Sequence, residues 1–246
     1  SSVAIPTTRV AFVDDDARAS LRASLRASRL TEVLESVPGE LHLKANICTS
    51  DPNVSSALHL EEALLGPWRR DAEEEEEEED KEQELNTASY VAHVAKGIAL
   101  LEEDIASIVK SFGEVTGEPV AAVHLSLLRQ TLCSKLHVDH VPLRVMVTYF
   151  GAGTEVLSER ASLAVSLAGR HGGHAVSDVA KFLATRLAAP PRQAEECEVV
   201  LLKGERWPGN EGRAIVHRSP DVDGCCGEWR LCLKVDAPRD YSDDDN

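Results

Sequence analysis

The stretch "HVDHVPLRVMVTYFGAGTE", residues 137–155, places two histidines and an aspartate directly before an apolar strand. His137 and Asp139 are separated by one residue, and alternate residues of a strand face the same side. An imidazole nitrogen and a carboxylate oxygen can therefore converge on one metal ion. His140 would point away from Asp139 on a regular strand, so we expect it to face solvent or to lie just outside a ligand set.

A histidine-x-aspartate pair arises by chance in many proteins, so a metal site needs a distant third ligand. His217, in "AIVHRSP", ends an apolar segment 80 positions after His137. Two histidines and a carboxylate would leave about three positions open on non-haem Fe(II) for a co-substrate and oxygen. The alternative is that these are ordinary surface histidines near loops.

Further polar residues on the neighbouring strands are candidates for a co-substrate pocket. Arg230 lies on the last strand, and its planar guanidinium can bind a carboxylate through two hydrogen bonds. Arg144, Thr148 and Tyr149 follow the histidine-x-aspartate pair. Arg144 and Tyr149 have opposite parity, so we expect one of them to reach the pocket and prefer Tyr149. Trp207 is expected to rim the pocket or to pack beneath it.

The pattern around this strand predicts an α+β chain. Before Pro119, apolar residues recur every three or four positions, which predicts a helix capped at Asn86 or Thr87 and stopped at Gly113. After Pro119, short β-branched segments predict a small β-sandwich or barrel. These segments are "VAAVHLSLLRQ", "LRVMVTYF", "CEVVLLKG", "RAIVH" and "WRLCLKVD".

Composition divides the chain into four regions. Residues 1–70 are expected to be helical or irregular, 71–84 an acidic disordered linker, 85–238 a helix followed by the metal-binding β domain, and 239–246 an acidic tail. The β domain would carry an insertion within 158–196 that contains a helix over 177–189. In region 1–70 the repeat "ARASLRASLRASRL" predicts a short surface helix with arginines stacked on one face.

Charge and cysteine usage limit the function classes. The net charge is -16, and 11 acidic residues with one lysine lie between residues 71 and 84. This balance argues against nucleic-acid binding, which needs a basic surface. No apolar run approaches the roughly 20 residues of a membrane span. Six cysteines without a CxxC pair indicate an intracellular, cytoplasmic protein, although an organellar targeting segment is compatible with a first residue other than Met.

Four blocks together resemble the domain of unknown function 1826 family over most of residues 120–236. The blocks are "CSKLHVDHVPLRVMVTYFGAGTEVL", "VVLLKGERWPG", "AIVHRSP" and "RLCLKVD". The resemblance implies that the following residues belong to the family's signature: Cys133, His137, Asp139, Tyr149, Gly153, Thr154, His217, Arg218, Ser219, Pro220 and Arg230. Thr154, Arg218 and Ser219 are accordingly expected in the pocket, beside Thr148 and Trp207.

The same blocks also resemble the double-stranded β-helix, a jelly-roll or cupin-like core, of Fe(II)/2-oxoglutarate oxygenases. This resemblance implies that His137, Asp139 and His217 hold iron. It implies that Arg230 binds the distal carboxylate of 2-oxoglutarate, a small-molecule co-substrate. Tyr149 could add a hydrogen bond to that carboxylate.

Two other hypotheses stay open at this point. Cys133 precedes His137 by four residues, so it could close a four-coordinate zinc site with the other three ligands. Such a site would suit a non-catalytic protein of zinc homeostasis, since some relatives are encoded near zinc-responsive genes. Alternatively, the barrel binds no metal and serves as a scaffold for a partner.

Overall fold

The computed structural model describes residues 9–66, 81–167, 190–222 and 228–238. Most of the acidic linker, the helix expected over 177–189 and the tail at 239–246 lie outside the described residues. The division of the chain at 70 and 84 therefore stays a prediction. Among the described helices, none combines the length and the apolar character that crossing a membrane requires.

Helices and antiparallel strands alternate along the chain, which confirms the α+β class. The helices are α1 (Asp16–Ala27), α2 (Leu30–Ser36), α3 (Val54–Leu58), α4 (described over 60–66), α5 (Lys81–Thr116) and α6 (Glu159–Leu167). The strands are β1 (Val10–Val13), β2 (Leu41–Cys48), β3 (Val120–Leu128), β4 (Leu143–Phe150), β5 (Glu155–Val156), β6 (Arg192–Gln193), β7 (Val199–Lys203), β8 (His217–Arg218) and β9 (Arg230–Asp236).

The strands form two sheets. The larger has six strands in the order β1-β7-β4-β9-β3-β2, and the smaller has three in the order β6-β5-β8. Every pair is antiparallel. Strands β3, β4, β7 and β9 lie in segments whose β character the sequence predicts, whereas β8 shares only His217 with the predicted segment "RAIVH". The sequence did not predict β1 and β2, which come from the region expected to be helical or irregular.

The larger sheet packs against a core on each face, although one face is open to solvent at strand β2. On one face, Val145 and Val147 of β4 and Leu233 of β9 join a core that includes residues of α1, α2 and α5. On the other face, Val200 of β7 packs with Ile215 in a second core that includes residues of the smaller sheet. Since side chains alternate along a strand, the second face also receives the even-numbered residues of β4 and β9. This face carries the polar residues of the candidate site.

Helix α5 continues past the expected stop at Gly113. The turn ends instead at Gly117, which adopts φ +78° and donates its N–H to the Gly113 carbonyl at 2.8 Å. A left-handed residue of this kind is a common end for a helix, and glycine adopts it without strain. Gly113 has a packing role: an added Cβ would lie 2.3 Å from the Thr49 Cβ. The expected stop was wrong because close contact between elements also selects glycine.

The arginine repeat forms helix α1 at the surface, as predicted, with most of its residues exposed. Arg18 is buried, donates from Nε to the Cys197 carbonyl at 2.5 Å and forms an ion pair with Asp104 of α5. Arg26 forms an ion pair with Glu196, and Leu25 is fully buried. The arginine face packs only in part, since Arg18 is buried and Arg22 half-buried whereas Arg26 stays exposed. The acidic and carbonyl partners lie far along the chain, where local periodicity gives no sign of them.

Candidate metal centre

His137, Asp139 and His217 meet although 80 residues separate the first from the last. The backbone joins them directly, since His137 and His217 exchange two N–H to carbonyl hydrogen bonds of 3.0 Å. Their ring centroids are 4.4 Å apart. One ligand atom from each of the three residues lies within 4.8 Å of the others. The histidine-x-aspartate pair and the distal histidine thus form one cluster at the smaller sheet.

Backbone carbonyls fix which nitrogen of each imidazole carries the proton. His137 Nδ1 lies 2.9 Å from the Lys135 carbonyl, and His217 Nδ1 lies 3.2 Å from the Ile215 carbonyl. A carbonyl oxygen only accepts, so each Nδ1 donates and each Nε2 keeps a lone pair. This is how proteins orient histidine ligands toward a metal ion.

Both Nε2 atoms face the Asp139 carboxylate. The His217 Nε2 to Asp139 Oδ2 distance is 3.2 Å, and the His137 Nε2 to Asp139 Oδ1 distance is 3.9 Å. Asp139 Oδ2 is buried and makes no hydrogen bond. Two nitrogen lone pairs and a carboxylate oxygen directed at one another repel unless a cation lies among them. The donor set therefore fits a divalent metal ion.

The surroundings keep the ligands in the protonation states that metal binding needs. Burial lowers the pKa of His137, as does the neighbouring His217 ring. Burial alone would raise the pKa of Asp139, but the His217 imidazole and the Arg144 guanidinium outweigh it and hold that pKa well below its usual range. At neutral pH the site accordingly presents a neutral His137 ring and an ionised carboxylate.

Arg144 and Asp236 support the centre from the larger sheet. Arg144 Nη1 contacts Asp139 Oδ1. Its Nε and Nη2 each donate to the Asp236 carboxylate at 2.7 Å. Arg144 and Asp236 are direct neighbours across strands β4 and β9. Arg144 therefore links the Asp139 carboxylate to Asp236 at the end of β9.

The preference for Tyr149 over Arg144 is corrected by this arrangement. Tyr149 points to the helical side of the sheet, where its hydroxyl donates to Asp104 Oδ2 at 2.7 Å. Burial and the Asp104 carboxylate raise its pKa well above the ordinary value. Strand parity correctly placed the two side chains on opposite faces, but it did not identify which face holds the metal ligands.

Arg230 is a buried cation on the same face as Arg144. Its side chain is among the largest that are fully buried, with 2% of the residue exposed. Nη2 donates to Thr148 Oγ1 at 3.1 Å and to Cys232 Sγ at 3.4 Å, whereas Nε and Nη1 have no partner. A buried guanidinium with two unused donors is costly without an anion. A carboxylate accepting from Nη1 would offset part of this cost.

Cys133 does not join the three ligands. Its sulfur lies 3.5 Å from His137 Nδ1, on the side of the ring remote from Nε2. The ligand group among the described residues comprises His137, Asp139 and His217 alone. The geometry thus favours an open three-residue site over the closed four-coordinate zinc site. His140 is exposed, as expected.

The other expected pocket residues have local partners. The contacts are Arg218 Nε to Glu155 at 2.6 Å, the Ser219 N–H to the Cys133 carbonyl at 2.9 Å, Thr154 Oγ1 to Met146 Sδ at 3.8 Å, and the Lys203 ammonium 4.9 Å from the Trp207 ring centroid. Their expected roles in a pocket stay predictions.

Sequence reasoning missed Asp236. It ends the last strand, and its parity matches that of Arg230, so it lies on the face of the candidate site. The alternation of side chains along β9 was the signal in the sequence that could have identified Asp236. The residue was overlooked because an aspartate at the end of a strand is also an ordinary turn residue.

Two cavities lie away from the centre. One of about 350 Å³ is lined by residues including Arg26, Phe150 and Trp229. Another of about 310 Å³ lies between α5 and the larger sheet. None of the three ligand residues lines either cavity, so neither is the pocket of the metal centre.

A family model described as protein of unknown function (DUF1826) matches residues 32–236. No curated protein matches the chain. Among solved structures, the rice dioxygenase for auxin oxidation is 13% identical, with 96% of this chain and 75% of that chain covered at a TM-score of 0.39.

Two further structures are similar at the same level. The Fe(II)/α-ketoglutarate-dependent dioxygenase TqaL is 14% identical, with 96% of this chain and 85% of that chain covered at a TM-score of 0.41. A Pseudomonas putida prolyl-4-hydroxylase is 11% identical, with 95% and 94% covered at a TM-score of 0.36. Likenesses this weak carry no argument about function, which depends on the geometry of the site.

Proposed function

This chain belongs to the DUF1826 family, and we propose that it is an Fe(II)/2-oxoglutarate-dependent oxygenase. The observation that carries the proposal is the open cluster of His137, Asp139 and His217, on the same side of the larger sheet as the partly unpaired Arg230. Two imidazoles and one carboxylate are typical of non-haem Fe(II) oxygenases because they leave coordination positions for other molecules.

The strand pairing supports a double-stranded β-helix as the core. Eight segments follow one another: β3, the bridge at His137, and β4 to β9. β3 pairs with β9, the bridge at His137 with β8, β4 with β7, and β5 with β6. In chain order, the first segment thus pairs with the last, the second with the seventh, the third with the sixth and the fourth with the fifth. Pairs β9–β4 and β8–β5 then join them into two facing sheets. This nested pairing is that of an eight-stranded jelly roll.

Each residue of the centre has a distinct task in this proposal. His137 and His217 would donate from Nε2, and Asp139 from Oδ2, because Arg144 occupies the other carboxylate oxygen. Fe(II) and 2-oxoglutarate, when bound, would supply the oxidising chemistry. The protein holds the ligand geometry, keeps Asp139 ionised and positions the co-substrate.

Charge balance favours a dianionic co-substrate. Asp139, Asp236 and Arg144 together carry one negative charge and Lys234, paired with Asp236, adds one positive charge, so a divalent metal ion leaves this group positively charged. Arg230 adds a further positive charge. A dicarboxylate would offset this positive charge, with one carboxylate at the metal and the other accepting from Arg230 Nη1. Thr148 would hold the guanidinium plane in position for that pair.

Anaerobic titration with Fe(II) and 2-oxoglutarate tests the proposal. We expect a visible charge-transfer band at one equivalent of iron, and loss of the band in Asp139→Asn. Arg230→Gln should raise the 2-oxoglutarate concentration for half-saturation about 30-fold, since a charged hydrogen bond to the co-substrate is lost. Arg160→Gln, an exposed arginine on α6, is the matched control and should leave it unchanged.

The same titration distinguishes the oxygenase proposal from the hypothesis of a closed zinc site. Absence of the band, together with one equivalent of zinc that Cys133→Ser releases, would contradict the oxygenase and indicate a closed site. Absence of the band with no metal bound at all would leave the scaffold hypothesis.

A further inference from the structure

Three basic side chains lie in a row across the larger sheet, next to the metal centre. Lys44 of β2 is directly opposite His124 of β3, and His124 is directly opposite Lys234 of β9. Side chains in such positions are neighbours on the same face, with Cβ atoms about 5 Å apart. We call Lys44, His124 and Lys234 the basic row.

The basic row shares its face with the metal centre. Lys234 lies between Arg230 and Asp236 in the alternation of β9, so all three point to the same side. Its ammonium is 3.8 Å from Asp236 Oδ2, and Asp236 in turn accepts from Arg144. Lys234 of the basic row therefore shares Asp236 with Arg144, and Arg144 contacts the Asp139 carboxylate.

Solvent reaches this part of the face. Lys44 is exposed, His124 is half-buried, and the side chain of Lys234 is 32% exposed. The smaller sheet has three strands and the larger sheet has six. Strand β2 is the edge strand of the larger sheet at the end opposite β1 and β7, and β3 is next to it. A molecule approaching the metal from the β2 edge would meet the basic row first.

A protonated His124 would place cationic groups directly opposite one another, which destabilises a sheet. The cost is visible at His124, since burial first, and then Lys234 and Lys44, lower its pKa to about 4. Two ammonium groups around a neutral imidazole remain at neutral pH, in a chain whose net charge is -16. A local positive region on an acidic protein attracts anions to that place.

We propose that the basic row binds the anionic group, phosphate or carboxylate, of the small-molecule primary substrate. This inference rests on the proposed oxygenase function, because it assigns the class of molecule presented to the metal. Lys44 and Lys234 provide the charge, and His124 provides a hydrogen bond between them. A small acid fits better than a nucleic acid, whose phosphates the acidic chain as a whole would repel.

The test uses metal-free protein, so it does not depend on catalysis. The ring ¹⁵N resonances of His124 are followed while inorganic phosphate is added in one arm and acetate in another. We expect a saturable shift in at least one arm. Lys44→Gln and Lys234→Gln should each weaken that binding roughly fivefold, as the loss of one charged contact does. Lys110→Gln, an exposed lysine on α5, should bind as the wild type does.

The two arms separate a phosphate from a carboxylate preference. A His124 resonance that neither anion shifts would overturn the inference, as would binding that both lysine variants retain in full. Because Lys44 is exposed, its variant stays informative even if Lys234→Gln unfolds. Saturable phosphate or acetate binding without an iron charge-transfer band would contradict the oxygenase proposal but support the anion site. A charge-transfer band without anion binding would support the oxygenase proposal but contradict the anion site.

Discussion

Asp139 connects the two parts of the centre, because one of its oxygens contacts Arg144 and the other faces His217. Arg144 is buried with Asp139 on one side and Asp236 on the other. Removing the arginine would leave two buried carboxylates without their cation. The contribution of Arg144 is therefore measurable as stability as well as in metal binding.

We predict that Arg144→Met lowers the free energy of unfolding of the metal-free protein by about 3 kcal/mol, the usual cost of breaking a buried ion pair. Urea denaturation measures it. Arg29→Gln removes an exposed ion pair with Glu32 and should cost no more than about 0.5 kcal/mol. Equal effects of the two substitutions would show that Arg144 is not held as described.

His124 makes stability depend on pH. Its pKa in the folded protein, about 4, lies below the ordinary value of 6.5, so the unfolded chain binds more protons between these values. Stability is therefore lost as pH falls through this window. After allowance for partial exposure, we expect His124→Gln to lose about 1 kcal/mol less than the wild type between pH 7 and pH 5. Urea denaturation at both values measures the difference, and equal losses would contradict the burial of His124.

At the scale of elements, helix α5 and the loop after β2 fit together through Gly113 and Thr49. An alanine Cβ at position 113 would lie within 2.5 Å of both the Cβ and the Oγ1 of Thr49. Thr49 also donates from Oγ1 to the Glu118 carbonyl at 2.7 Å, which ties it to the end of the helix. Neither side can therefore move easily.

We predict that Gly113→Ala destabilises the protein by about 2 kcal/mol, although alanine in a helix interior normally stabilises by about 1 kcal/mol. Thermal denaturation followed by circular dichroism measures the change. Ser89→Ala, on an exposed position of the same helix, should be neutral or slightly stabilising. Adding Thr49→Gly to Gly113→Ala should recover part of the loss; no recovery would contradict the close contact.

The elements also show what local sequence can predict. Strands β4, β7 and β9 were visible because each is a dense run of β-branched and leucine residues. β1 and β2 were not, since "VAFV" is four residues long and β2 mixes polar with apolar residues. Their pairing with β7 and β3 is a long-range contact that no local pattern encodes.

At the scale of the whole molecule, the larger sheet separates two chemical environments. Its helical side holds an aliphatic core, with Arg18, Asp104 and Tyr149 as a buried polar cluster. Its other side carries Arg230 and also Arg144, which contacts Asp139 of the candidate metal centre. The spacing of the histidine-x-aspartate pair, His217 and Arg230 predicted which residues gather there. It could not predict the ion pair with Asp236 or the orientation of Tyr149, which depend on strand register.

The proposed function depends most on a single divalent ion shared by His137, Asp139 and His217. A crystal of the protein grown with Mn(II) in place of iron, with anomalous data collected at the manganese edge, tests this directly. We predict one anomalous peak about 2.0–2.3 Å from Nε2 of both histidines and from one Asp139 oxygen. A peak bonded to the Cys133 sulfur, or no peak among these three side chains, would contradict it.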